Sequence, residues 1–349
     1  MSHYNLAFIG FGNVGRALAR LLLRKQAMLE AAYGITFSVT GIATGRHGFA
    51  VGTGGLDISK AAHLVESDTS IASLSDPGLA VSDSAAVIRR SGAQVMFENS
   101  PVNHSTGQPA IDHVRLALRS GMHAITANKG TVVHGYRELS ALAASQGCKF
   151  LFESTVLGGS PLFSVFRECM PAAEPLSFRG VLNSTTNIIL TRMERGETFD
   201  QAVKYCQSIG VAETDPSADV DGWDAAIKVA ALVTVLMNLP CSPQQVKREG
   251  IRGITPAMIA ETKANGKRYK LVCSAERRGN TVEAAVAPER LAVSDALYGM
   301  DDSTTGIAFR TDVLGDYSII ESERPDMVAG PEPTAYGLLA DFINAVRSR

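Results

Sequence analysis

The hexapeptide Gly10-Phe11-Gly12-Asn13-Val14-Gly15 constrains this 349-residue chain more than any other feature. It follows an apolar run, residues 4–9 (YNLAFI), which reads as a buried strand. It opens VGRALARLLLRKQAML, whose apolar residues recur at helical spacing. GxGxxG alone is a weak pattern, but between a strand and a helix it is the fingerprint of a dinucleotide site. Gly10 permits the tight turn, Gly12 lets a pyrophosphate approach the backbone, and Gly15 lets the helix lie close to the sheet. The helix start then offers free N–H groups to phosphate. The plain alternative is a glycine turn with no ligand.

The rhythm that follows supports a doubly wound α/β sheet of Rossmann type. Strands are expected at 35–43, 94–99, HAITAN and KFLFES. Helices are expected at 83–91, through IDHVRLALRS up to Gly121, and through YRELSALAAS up to Gly147. The segment TGRHGFAVGTGG reads as a glycine-rich loop. After about residue 155 strands and helices no longer alternate. SFRGVLNS, RYKLVCSAE, TVEAAVAPE and GIAFRTDVLG read as strands, with helices near 186–194, 198–208 and 222–237. That predicts an α+β second domain with an open, antiparallel-type sheet. The expected divisions are 1–153, 154–320, and 321–349 as a helix returning to the first domain. Two main domains also fit the length, at roughly 150 residues each.

Composition narrows the function classes. A net charge of −2 gives no global field for nucleic acid or membrane. The longest uncharged apolar stretch, Val229–Pro240, is shorter than the roughly 20 residues of a membrane span. Five scattered cysteines without a CxxC fit a reducing compartment and show no zinc spacing. With no basic, cleavable leader at the N-terminus, a cytoplasmic enzyme is the expectation.

Cofactor choice is read at the end of the second strand, where an acid holds the ribose 2′-OH of NAD and an arginine accommodates the 2′-phosphate of NADP. Here Arg46 and His47 follow Ala43, and no acid occurs until Asp57. NADP is therefore expected over NAD, unless Arg46 is a solvated loop residue.

The stretch AETDPSADVDGWDAAIKVAALV places Glu213, Asp215, Asp219, Asp221 and Asp224 just before Lys228. Asp224 and Lys228 are i,i+4 on one helix face, which usually means a surface ion pair. Yet the helix continues apolar nearly all round, and a buried lysine without a partner is rare. DVDG does not make a calcium loop, because Lys228 falls where the bidentate glutamate belongs. In TANKG, Lys129 follows a parallel strand at the carboxyl edge, where ligands of α/β sheets bind. It could polarise a carbonyl or relay a proton, or be a solvated loop lysine.

With GFGNVG, TANKG, FESTVLGGSP, GVLNSTTNIILTRM and GVAETDPSADVDGWDAAIK in this order, the chain resembles homoserine dehydrogenase over about residues 4–240. GPEPTAYGLLADF is similar more loosely. The likeness is to the short catalytic-core form, without ACT or aspartate kinase domains. It implies interconversion of L-aspartate 4-semialdehyde and L-homoserine with NAD(P), on the route to threonine and methionine, by a homodimer. The use of the second domain for substrate binding and dimerisation is likewise implied only by this resemblance. It implies catalytic roles for Lys129, Lys228 and Asp224, and substrate binding by Glu213, Asp219 and Thr185. Cofactor contacts are implied at Gly10, Gly12, Asn13, Val14, Gly15, Ser100 and Lys129. A structural sodium ion is implied at Glu153, Val156, Gly158 and Ser160; the alternative there is a tight turn with no ion. Two departures are Ser184 and Ile188, where the family carries glycine and an aromatic residue. Competing readings are an NADP-dependent reductase of a related small amino or hydroxy aldehyde, and a non-catalytic NADP(H)-binding redox sensor.

Overall fold

The computed structural model describes residues 1–322 and 330–347. It divides into two compact units, Met1–Pro161 with Pro331–Arg349, and Leu162–Gly330.

The first unit begins with β1 (Ser2–Ile9), α1 (Asn13–Tyr33), β2 (Ile35–Ala43), β3 (Phe49–Val51), α2 (Ile58–Glu66) and α3 (Ser84–Arg90). It continues through β4 (Val95–Glu98), α4 (Ala110–Arg119), β5 (His123–Thr126), α5 (Lys129–Ser145) and β6 (Phe150–Leu151). The strands lie in the order β3-β2-β1-β4-β5-β6. All neighbours are parallel except β2 and β3. The winding direction reverses between β1 and β4, the crevice where open α/β sheets bind ligands.

Part of the glycine-rich loop turns out to be structured. Residues 41–43 pair antiparallel with 49–51, and Ala50 and Val51 are wholly buried. Burial of two apolar residues draws this short segment into the sheet despite its flanking glycines. Helix α5 also starts earlier than the periodicity indicated. Asn128 Oδ1 accepts the Gly130 N–H at 3.0 Å and nucleates the helix at Lys129.

The second unit contains β7 (Pro175–Val181), α6 (Ser184–Glu194), α7 (Phe199–Ser208), α8 (Ser217–Val220) and α9 (Trp223–Leu236). Then come β8 (Lys247–Arg248), α10 (Pro256–Ala264), β9 (Lys267–Arg278), β10 (Thr281–Ala292), β11 (Thr305–Thr311) and β12 (Gly315–Glu321). The order is β12-β11-β7-β9-β10-β8. Neighbours are antiparallel apart from the two-residue β8, which runs parallel to β10. GIAFRTDVLG therefore does not run on as one strand. Thr311 Oγ1 accepts the Leu314 N–H at 2.9 Å, and Gly315 has φ +68°. The chain reverses there into β12. Helix α9 lies on β9 and β10 and buries its apolar side chains from Ala225 to Val233.

Helix α11 (Glu332–Val346) belongs to the first unit. Leu338, Leu339 and Phe342 join the core that contains Leu6, Phe8, Leu18 and Phe97. The Phe97 and Phe342 rings meet edge to face at 6.2 Å. Ser154 Oγ donates to the Thr334 carbonyl at 2.7 Å. The Glu153 N–H donates to Asp341 Oδ2, also at 2.7 Å. These bonds hold the turn at 153–155 with the first unit, whose division falls after Pro161. Among the described residues no helix is long and apolar enough to cross a membrane.

Candidate active site

In the first unit the glycine turn has distinct requirements at each position. Gly10 has φ +91°, and a Cβ there would lie 2.4 Å from the Asn99 backbone carbonyl and 2.5 Å from Ser100 N. A Cβ on Gly15 would lie 2.6 Å from the Gly10 carbonyl oxygen. Both glycines are therefore demanded by the fold. Gly12 is different, since a Cβ there would meet nothing among the described residues within 4 Å. It caps α1 without a side-chain hydrogen bond, and no acid lies in the first turn. Open space above an uncapped helix start suits a dinucleotide phosphate. Asn13 and Val14 are the first residues of that helix.

Around it, the ends of β4 and β5 are tied together. The buried Glu98 accepts from the Ser100 hydroxyl and from His113 Nδ1, the latter at 3.3 Å. The Ser100 carbonyl accepts from Asn128 Nδ2 at 3.0 Å, so Ser100 is bonded to the cap of the helix that starts at Lys129. Arg46 is exposed in the β2–β3 hairpin. Its neighbour His47 meets Asp68 at 2.9 Å, so a carboxylate absent from the local sequence does reach this loop. Asp57 is occupied as the cap of α2, accepting the Lys60 N–H at 2.9 Å.

In the second unit two acids of the acidic stretch, Asp219 and Asp224, meet at Asn183, while Asp215 accepts from Ser217 and Asp221 pairs with Arg252. Asn183 Nδ2 donates to Asp219 Oδ1 at 2.7 Å and to Asp224 Oδ2 at 3.0 Å. Lys228 Nζ donates to Asp224 Oδ2 at 2.9 Å and to the Leu182 carbonyl at 2.6 Å. The Lys228 side chain is 13% exposed and that of Asp224 17% exposed, so this is no solvated surface pair. Burial pushes the Asp219 carboxyl above its ordinary range, and Asp224 adds to that. Hydrogen bonds from Asn183 and Thr185, together with Lys228, work against the shift. For Lys228 burial pulls downward, but the charge and hydrogen bond of Asp224, then Asp219, outweigh it and hold the ammonium above its ordinary value. Buried Cys273 shares this environment and is pushed up to about 12.

A family model for homoserine dehydrogenase matches residues 161–343, and a model for the NAD-binding domain of homoserine dehydrogenase matches residues 10–153. The chain belongs to the homoserine dehydrogenase family. It is 33% identical over 350 residues to the NAD(+)-dependent homoserine dehydrogenase of Pseudomonas canavaninivorans, covering 100% of this chain and 97% of the relative. It is 32% identical to the homoserine dehydrogenase of Methanocaldococcus jannaschii, covering 99% of both. The crystal structure of a homoserine dehydrogenase from Thiobacillus denitrificans superposes with a TM-score of 0.82 at 26% identity. That match covers 99% of this chain and 74% of the other. As a homoserine dehydrogenase the chain is an NAD(P)-dependent oxidoreductase acting on a small amino-acid substrate.

Among the remaining residues assigned from the sequence, Thr185 is buried beside the cluster. Glu213 is not part of it. It is exposed on the α7–α8 connection, where its backbone carbonyl accepts from Gln207 at 3.3 Å. Glu153, Val156 and Ser160 are buried, and Gly158 turns the chain with φ +55°.

Sequence reasoning passed over Asn183 and Asn128, although each stands directly before a segment that becomes a helix. An asparagine one residue before a helix is a capping signal, and both prove to be caps. It also passed over Lys270, which is fully buried. Lys270 Nζ donates to Asn187 Oδ1 at 2.9 Å and to the Met300 carbonyl. Burial, followed by Arg268, pulls its ammonium down to about 8 against Glu194, Asp301 and Asp302.

Proposed function

We propose that this homoserine dehydrogenase interconverts L-homoserine and L-aspartate 4-semialdehyde with NADP preferred over NAD. The first unit would hold the dinucleotide and the second the amino acid. The observation that carries the amino-acid assignment is the Asn183–Asp219–Asp224–Lys228 cluster. Of the two carboxylates there, Asp224 is paired with the Lys228 ammonium, which leaves the charge of Asp219 for the substrate's own ammonium group.

Bound NADP(H) supplies or accepts the hydride at C4. The protein's residues do the rest. Lys228 has three donors; Leu182 and Asp224 take two, and the third is left for the C4 oxygen. An ammonium held charged suits stabilising negative charge on that oxygen. Proton exchange at the oxygen then falls to Lys129, at the start of α5. Asp219, with Thr185 behind it, and Glu213 would take the amino group.

Gly10, Gly12, Asn13, Val14 and Gly15 would bind the pyrophosphate, and Ser100 the nicotinamide end. For NADP we rely on Arg46, which has no partner among the described residues, and on the engagement of Asp57 in a helix cap. The Asp68–His47 contact opposes this, and the relative from Pseudomonas canavaninivorans is named for NAD(+). A sodium ion would fit the oxygen-only turn of Glu153, Val156, Gly158 and Ser160, as a hard cation requires. A homodimer built on the second sheet completes the reading.

The test is reduced-nicotinamide absorbance with L-homoserine and either NADP or NAD, for wild type and Arg46→Ala. The expected result is turnover with NADP favoured, and loss of that preference in the variant. An NAD preference in wild type would discard Arg46 as the discriminator. Absence of turnover with both cofactors would overturn the activity.

A further inference from the structure

Asn183 stands where two carboxylates would otherwise meet. Its amide orientation is fixed, because Oδ1 accepts the Thr186 N–H at 2.8 Å and the Thr186 hydroxyl at 2.9 Å as the cap of α6. That leaves Nδ2 alone to face the acids. Its two protons go to different residues, Asp219 at 2.7 Å and Asp224 at 3.0 Å. Asn183 is 5% exposed and Thr185 4% exposed, so water does little to solvate this side of the pair.

We propose that Asn183 is a positioning residue for the reaction, dividing one amide nitrogen between Asp219 and Asp224 so that both stay ionised and separate. This rests on the reading that Asp219 receives the substrate's ammonium. Asp224 also has Lys228 as a partner. Among the described residues Asp219 has no cation in direct contact, and it depends on neutral donors, Asn183 and Thr185. The groups facing Asp219 are Asp224 and Lys228 from α9, Asn183 and Thr185 from the start of α6, and Cys206 from α7. Without the Asn183 donor, burial and the Asp224 charge act on Asp219 with less to oppose them. It would then take up a proton and lose its attraction for an ammonium group.

Asn183→Ser and Asn183→Asp both retain an oxygen able to cap α6, so folding and site electrostatics are separated. The first replaces two amide N–H donors by a single hydroxyl on a shorter side chain that cannot bond both acids; the second removes the donors and adds a negative charge. Protein labelled with 13C-carboxyl aspartate, with Asp219→Asn for assignment, reads the Asp219 titration without substrate. Its midpoint should rise by about one pH unit in the serine variant and by more in the aspartate variant. The acid limb of kcat/KM for homoserine oxidation should move upward by the same interval.

An unmoved Asp219 midpoint in both folded variants would overturn the proposal. A midpoint that moves while the acid limb stays would overturn the link to substrate. Absence of homoserine turnover in the wild type would overturn the activity reading, while the titration would still decide what Asn183 does to Asp219.

Discussion

The Lys228 ammonium donates to the backbone carbonyl of Leu182 at 2.6 Å, which fixes the α9 lysine to the junction between β7 and α6. The same junction supplies Asn183, so one turn of backbone orients the ammonium and both carboxylates. Lys228→Met removes the charge and leaves Asp224 without its cation. The expected result is a fall in kcat of roughly 10²–10³-fold, the scale for losing a donor to a developing oxyanion. NADPH binding, read by fluorescence titration, should change little. Wild-type kcat in the variant would remove Lys228 from the mechanism.

Gly12 and Gly10 should behave in opposite ways. Gly12→Ala meets no atom of the described residues, so its thermal midpoint should match wild type while NADPH affinity drops roughly tenfold or more as the methyl fills the phosphate position. Gly10→Ala drives a methyl into the Asn99 backbone at positive φ and should cost at least about 1–3 kcal/mol in chemical unfolding. Equal melting of the two variants would contradict the division of roles.

Glu213 lies outside the buried cluster and is exposed. Its proposed work is confined to the bound substrate, so Glu213→Ala should raise the KM for homoserine roughly tenfold or more and leave stability unchanged. An unaltered KM would return Glu213 to the solvated surface.

Lys270 gives a pH signature. Its folded-state value is depressed to about 8 from an ordinary 10.5, so between these limits the unfolded chain binds more protons. Stability contributed at this site therefore rises as pH increases through that window, and the buried charge costs most below it. Relative to Lys270→Met, wild type should gain on the order of 2 kcal/mol between pH 8 and 10.5 in urea unfolding. Parallel stability curves for the two proteins would show that Lys270 titrates as it would in water.

The nucleotide half was legible because its signals are local: a strand, three spaced glycines and a helical period lie within one stretch of chain. The lysine–carboxylate pair was legible for a similar reason, since i,i+4 spacing survives folding as a contact. β3 was not, because Phe49–Val51 becomes a strand only through pairing with β2 and burial of Ala50 and Val51. The role of Asn183 needed the fold as well. Its capping signal is local, but Asp219 and Asp224 reach it from distant positions on two other helices. His47 met Asp68 by the same kind of long-range approach, which the run of residues after β2 could not reveal.

The helix that completes the first unit's core lies C-terminal to the whole second unit. A ribosome therefore delivers Leu338 and Phe342 only after the β7–β12 sheet has emerged. Until then, the ring faces of Tyr4 and Phe97 that Phe342 meets are left to solvent or to a chaperone. The glycine turn is among the first segments synthesised, yet the core beneath it is among the last to close. In a cell-free translation arrested before Glu332, the nascent chain should expose that surface to protease and hold nucleotide poorly. Release of the remaining residues would then set the moment at which the enzyme becomes competent.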